Sequence, residues 1–246
     1  MVAWHFVRIF IHVALGLTVC SVVFPFSSSA TQEKLVRWWS GAMLAICQVE
    51  VRFQNLSNAP PEQRVLVVAN HVSWLDIFLL NSLRPCHFVA KADIRNWPIL
   101  GWLSQKAGTI FLARGKQREV RRIYEGLVHQ IAAGKRIAFF PEGTTAPQGT
   151  ILPFHANLFE AAIEAQVPIQ AFSIRYVDAK GSLHHAVDFI GEMTFAESMN
   201  LILRGGKITA ELTQLPLISS ENAHRREVAQ AARLAVAQSL GITEKL

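Results

Sequence analysis

Hydrophobic and polar positions divide the chain into two unlike parts. From Ile9 to Phe26 the sequence reads IFIHVALGLTVCSVVFPF, with no formal charge and one histidine. Eighteen such residues reach the lower limit for spanning a bilayer as a helix. A second apolar stretch, Leu35 to Val49, opens with Arg37, Trp38 and Trp39, a cation beside tryptophans as found at membrane interfaces. Ser28-Ser29-Ala30 also resembles a small-residue cleavage site, so a signal peptide competes with a retained anchor and with a buried core helix. The short n-region charge, Arg8 alone, and the length of the apolar run favour a retained anchor or hairpin. Residues 54–63, with Pro60-Pro61, read as a linker.

Beyond residue 55 the pattern changes to short β-like runs alternating with helical spacing. Strands are expected at 65–69, 87–91, 108–113, 136–140, 168–177, 185–190 and 207–213. Several are continuously apolar, as strands covered on both faces must be. Val120, Ile123, Leu127 and Ile131 recur at helical spacing within 117–133, with Gly134 as the C-terminal cap. Asn96 before Trp97-Pro98 reads as a helix start, and 220–240 as a surface amphipathic helix. The expected class is α/β, with a mixed, largely parallel sheet flanked by helices. An N-terminal membrane helix or hairpin over 1–53 precedes the α/β domain at 54–246.

Composition narrows the partners. Hydrophobic residues make up 51% and charged residues 17%, and mean hydropathy is positive, which points to a membrane. A net charge of +6 suits an anionic lipid surface. Nucleic acid is not expected, since no basic run or basic-aromatic patch occurs. Cys20, Cys47 and Cys86 are scattered and form no C-x-x-C pair, so they read as buried small hydrophobes, with no metal site.

Candidate chemistry sits where strands stop. The apolar run 65–69 ends at Asn70-His71, and a helical pattern begins at Ile77. His71 therefore stands at a strand's C-terminal end, the usual place for an α/β active site. A loop between them lets Asp76 turn back on the imidazole, fix its tautomer and make the other nitrogen a general base. Ser73-x-x-Asp76 is equally a capping-box pattern, in which the carboxylate only satisfies amides. A second strand, RIAFF, breaks at Pro141 into Glu142-Gly143-Thr144-Thr145, offering close backbone approach and hydroxyls. A third, GTIFLARG, ends at Arg114 with Lys116 and Arg118 behind it, either an anion site or a solvated helix start.

Taken in order, these blocks resemble the glycerolipid acyltransferase superfamily, typified by 1-acylglycerol-3-phosphate acyltransferases. The resemblance rests on NHVSWLD at 70–76, FLAR at 111–114, FPEGT at 140–144 and Val167-Pro168-Ile169, over roughly residues 50–180. It implies His71 as general base, Asp76 as its orienting partner and Arg114 as a phosphate contact. It also implies that Glu142, Gly143 and Thr144 shape the acceptor site, with Pro168 on the acyl-donor side. The implied reaction is direct attack of a lysolipid hydroxyl on an acyl thioester of CoA or acyl carrier protein, with lysophosphatidate the expected acceptor. No cofactor and no acyl-enzyme are required, since a thiolate of pKa about 8.5 is a fair leaving group. No G-x-S-x-G occurs. The catalytic domain is expected on the cytoplasmic face of the membrane, the inner membrane in a bacterium, where acyl thioesters are found.

Two positions depart from that pattern. The phosphate-using enzymes commonly continue F-P-E-G-T-R-S and then F-K-x-G; here the corresponding residues are Thr145-Ala146 and Phe154-His155-Ala156-Asn157. Two cations are absent, and another lysolipid such as a lyso-ornithine lipid is the alternative acceptor. A different class, a non-catalytic membrane lipid carrier, rests on composition alone and predicts indifference to Asp76→Asn.

Overall fold

The computed structural model describes residues 2–56, 64–112 and 117–243, with the side chains of 117–120 outside that description. The chain opens with a helical hairpin. Helix α1 (Val2–Thr18) runs through a π-turn, Val19–Val23, and a 3-10 turn, Phe24–Phe26, into α2 (Ser29–Ile46). The run Val2–Phe26 is long and apolar enough to cross a membrane. Both of its histidines, His5 and His12, bond backbone carbonyls of α2 within the hairpin. His12 bonds the Trp39 carbonyl at 2.9 Å, Trp39 Nε1 donates to the His12 carbonyl at 3.0 Å, and the two rings stack. Gly16 makes this approach possible, because a Cβ there would meet Trp39 Nε1 at 2.8 Å. Ser28, weighed above as part of a cleavage site, is the N-cap of α2 and accepts from Thr31 N–H.

Seven strands follow: β1 (Val49–Gln54), β2 (Leu66–Ala69), β3 (His87–Lys91), β4 (Ile110–Leu112), β5 (Ile137–Phe139), β6 (Ile169–Val177) and β7 (Ile208–Ile218). They form one sheet in the order β1-β7-β6-β2-β5-β3-β4. Every pairing is parallel except β6 with β7, so the sheet is mixed and largely parallel as expected. β1 was not expected. Its alternation, Val-Glu-Val-Arg-Phe-Gln, lies across the end of an apolar stretch and the start of the linker reading, which hid it.

The helices α3 (Leu75–Leu83), α4 (Leu100–Lys106), α5 (Gln117–Ala132), α6 (Glu160–Glu164), α7 (Phe195–Arg204) and α8 (Arg225–Ser239) complete the fold. Both sheet faces are buried. In β2, Val67 and Ala69 join a cluster with α2, α3 and α7, whereas Leu66 and Val68 join one with α5 and α8. That two-sided burial is why β2 reads as an unbroken apolar run.

Two expectations fail. Residues 185–190 form a short 3-10 turn, His185–Val187, and a loop rather than a strand. The loop's hydrogen bonds go sideways, Phe189 N–H donating to the Val72 carbonyl at 3.1 Å, so it lies across residues 70–76 instead of joining the sheet. The helix expected from Asn96 begins later, at Leu100, because Ile99 adopts a positive φ and breaks the turn that Pro98 would have opened.

Candidate active site

β2 and β5 are parallel neighbours in register, Leu66 beside Ile137 and Val68 beside Phe139. Asn70-His71 and Phe140-Pro141-Glu142 therefore leave the sheet at the same edge, which joins two blocks 70 residues apart. Asn70 is buried and satisfies both faces of its amide on β6: Nδ2 donates to the Ile174 carbonyl at 2.9 Å, and Ile174 N–H donates to Oδ1 at 2.8 Å. The side chain thus prolongs the β2–β6 pairing by one step and fixes where the loop begins.

Within that loop His71 Nδ1 lies 2.8 Å from Asp76 Oδ2. The same oxygen accepts from Val72 N–H at 2.7 Å and Ser73 N–H at 2.9 Å. The capping reading and the orienting reading are both realised, since one carboxylate caps the loop amides and aims the imidazole. Ser73 Oγ accepts from Leu75 N–H, and Trp74 occupies the N-cap position of α3. A carboxylate can only accept, so the His71 proton sits on Nδ1 and Nε2 presents a lone pair. Nε2 carries no hydrogen bond to any described residue. The ring lies flat against Phe140, with centroids 3.9 Å apart and planes within 6°, and its side chain keeps 18% exposure. Asp76 is fully buried.

Tyr176, at the end of β6, donates its hydroxyl to Asp76 Oδ1 at 2.6 Å. β6 is nine residues long against four in β2, so its last residues overhang the 70–76 loop. Burial, and then the Asp76 charge, push the Tyr176 hydroxyl well above its ordinary pKa, so it remains a donor. Sequence reasoning missed this residue. Its signal was a tyrosine near the end of a largely buried strand, whose hydroxyl needs a partner once buried.

Glu142 is buried and braces the site from beneath. Oε1 accepts from His71 N–H at 2.8 Å and Oε2 from Leu152 N–H at 2.9 Å. Burial raises its pKa, and the two amide donors oppose that rise. Both carboxylate oxygens are therefore engaged with backbone, and Ala146 N–H closes the junction on the His71 carbonyl at 2.8 Å. Gly143 has φ +68, and its N–H closes the turn on the Phe140 carbonyl. A Cβ there would come within 3.3 Å of the His155 ring. Gly143, Thr144 and His155 are exposed around this edge. Thr145 donates its hydroxyl to the Phe189 carbonyl, locking the 185–190 loop to the site. Arg114 and Lys116 lie outside the described residues, as does the side chain of Arg118. The three cysteines are buried, and the described residues hold no group of side chains suited to a metal.

The assembly can accept a proton from a hydroxyl at Nε2 and stabilise the imidazolium that results. Comparison with known proteins points the same way. A family model described as "Acyltransferase" matches residues 50–175. A lyso-ornithine lipid O-acyltransferase of Pseudomonas aeruginosa is 38% identical over 209 residues, 85% of this chain and 79% of that protein. A 1-acyl-sn-glycerol-3-phosphate acyltransferase of Neisseria gonorrhoeae is 43% identical over 117 residues, 48% of this chain and 46% of that protein. The crystal structure of the 1-acyl-sn-glycerophosphate acyltransferase of Thermotoga maritima shares the fold, with a TM-score of 0.71 at 15% identity over all of this chain and 96% of that one. The strand-end His-Asp site, the mixed sheet that carries it and these matches agree: the chain belongs to the acyltransferase family, in its glycerolipid branch.

Proposed function

We propose that the protein moves a fatty acyl group from an acyl thioester, of CoA or acyl carrier protein, to the free hydroxyl of lysophosphatidate, giving phosphatidate. The observation that carries the reading is the His71 Nε2, without a hydrogen bond among the described residues and held on a ring that Asp76 orients and Phe140 backs. His71 takes the proton as the acceptor oxygen attacks the thioester carbonyl, and Asp76 stabilises the imidazolium. The carbon–sulfur bond then breaks, and the thiolate leaves. No cofactor enters. Gly143 and Thr144 shape the acceptor side, Arg114 meets the phosphate, and Glu142 holds the loops that carry His71. The hairpin of α1 and α2 anchors the chain in the membrane, and the sheet domain, which begins at β1 rather than at residue 54, works at the cytoplasmic face, where the thioester is made.

A second acceptor, a lyso-ornithine lipid, is favoured by two observations. The Thr145 hydroxyl, at the position of a family arginine, is spent on the Phe189 carbonyl, and His155 stands in place of a lysine. The Pseudomonas relative also matches over far more of its length than the Neisseria one. Purified protein assayed side by side on both acceptors with one acyl donor decides the headgroup. Preference for lysophosphatidate supports the first reading, and preference for the ornithine lipid replaces it. Turnover of neither, or full turnover by His71→Ala, overturns the mechanism.

A further inference from the structure

The turn that leads into α4 exposes apolar side chains in a strained backbone. Ile99 has φ 64 and ψ −58, and Leu100 N–H bonds the Pro98 carbonyl at 2.6 Å, which is a γ-turn of the rare, strained kind. A β-branched residue at positive φ is an outlier that its surroundings must enforce. They do so at Gly101, where a Cβ would come within 2.3 Å of the Arg95 carbonyl, so the 3-10 turn at Ala92–Asn96 and α4 are clamped together. The strain holds Ile99 outward, 51% exposed, between Trp97 at 41% and Trp102 at 36%. Leu103 alone of this stretch's large apolar side chains is buried inward.

Cations frame the apolar tip. Lys91, Arg95 and Lys106 are exposed around it against one acid, Asp93, and Lys106 Nζ lies 5.4 Å from the Trp102 ring centroid. Tryptophans beside exposed cations match the interfacial zone of an anionic bilayer better than a protein partner's surface. The tip is also close to the hairpin apex, since Lys106 lies within electrostatic range of Cys20 in the π-turn after α1. At that apex Val22 and Phe26 are themselves exposed, Phe26 by 90%.

We propose that the 97–102 turn is a second membrane foothold, which dips Trp97, Ile99 and Trp102 into an anionic lipid surface beside the N-terminal hairpin. This rests on the reading of the hairpin as a membrane anchor. With two points of contact, the catalytic domain is held at one tilt to the bilayer, which the hairpin alone would leave less defined.

The test uses full-length protein on phosphatidylglycerol–phosphatidylcholine vesicles that contain nitroxide-labelled lipid. An environment-sensitive fluorophore is placed, one site at a time, on Ile99→Cys, on Trp102→Cys and on Phe26→Cys. The native cysteines are buried. Blue-shifted emission quenched by nitroxide lipid is expected at all three positions. Water-like, unquenched emission at both 99 and 102, with Phe26→Cys embedded, overturns the foothold and leaves the anchor standing. Water-like emission at all three overturns both. An embedded Ile99 site with an aqueous Phe26 site removes the anchor, and with it the turn's place as a second foothold beside the hairpin.

Discussion

Tyr176 and Asp76, 100 residues apart in sequence, meet through a 2.6 Å hydrogen bond in which the phenol donates to Oδ1. The other carboxylate oxygen takes His71 Nδ1–H and the amides of Val72 and Ser73. Tyr176 is therefore a positioning residue, which stops the carboxylate from turning away from the imidazole. Tyr176→Phe leaves Oδ1 buried without a donor, at a cost of about 1–3 kcal/mol. We expect kcat to fall about tenfold while KM for both substrates stays near the parent's, because nothing that touches substrate has changed. Steady-state kinetics beside a thermal melt check this. Loss of melting temperature with kcat intact would reduce Tyr176 to a stability residue.

His71 and Asp76 should separate when stability and activity are read together. His71 is partly exposed and makes one side-chain hydrogen bond, so His71→Ala should lose about 10²–10⁴ in turnover and little stability. Asp76→Ala should lose both. It leaves three N–H donors and a phenol without an acceptor in the interior, each worth roughly 1–3 kcal/mol. Circular dichroism melts of the two variants, run with the acyl-transfer assay, make the comparison.

How much of this was legible in the sequence depended on whether the information was local. The apolar run 65–69, its abrupt end at Asn70 and the helix at 117–133 are local patterns, and each stands where expected. β1 and α7 were hidden for opposite reasons. β1 is an edge strand whose alternation is masked by the apolar α2 before it, whereas α7 follows a run, 185–190, read as a strand and is identified by its Thr194–Glu197 capping box. The His-Asp pairing could be posed from spacing, yet spacing left open whether Asp76 capped amides or oriented the ring. Only coordinates show one oxygen doing both. Glu142 and Tyr176 act over 71 and 100 residues, and such reach is set by sheet order, which no local pattern contains.

Glu142 should leave a mark on stability against pH. Burial raises its pKa above the ordinary value of 4.5, despite the amides of Leu152 and His71. The folded protein therefore keeps this proton to higher pH than the unfolded chain does. Its contribution is full below about 4.5 and is lost as pH rises through the folded value, so stability falls with pH in that window. Glu142→Gln cannot titrate. Its melting temperature should decline less than the parent's across the pH range just above 4.5, although its amide nitrogen must face one N–H donor and lowers stability near neutrality. Parallel melts at closely spaced pH values test this, and identical slopes would remove Glu142 as the source.

The acceptor headgroup should respond to charge at the rim, and His155 is the position at which to change it. Its ring is exposed, and its Cδ2 would sit 3.3 Å from a Cβ on Gly143, so it borders the same edge as Thr144. Its backbone N–H is tied to the Pro141 carbonyl at 2.9 Å, which a lysine preserves. Thr145 is the poorer choice, because an arginine there must break the bond to Phe189 and release the 185–190 loop. His155→Lys places a permanent cation beside the acceptor. A charge-assisted hydrogen bond to phosphate is worth about 1.5–3 kcal/mol, or roughly ten- to a hundredfold in kcat/KM. The variant should shift by about that factor toward lysophosphatidate relative to lyso-ornithine lipid, with His71→Ala remaining inactive in the same background. An unchanged ratio would mean that the headgroup does not lie beside His155.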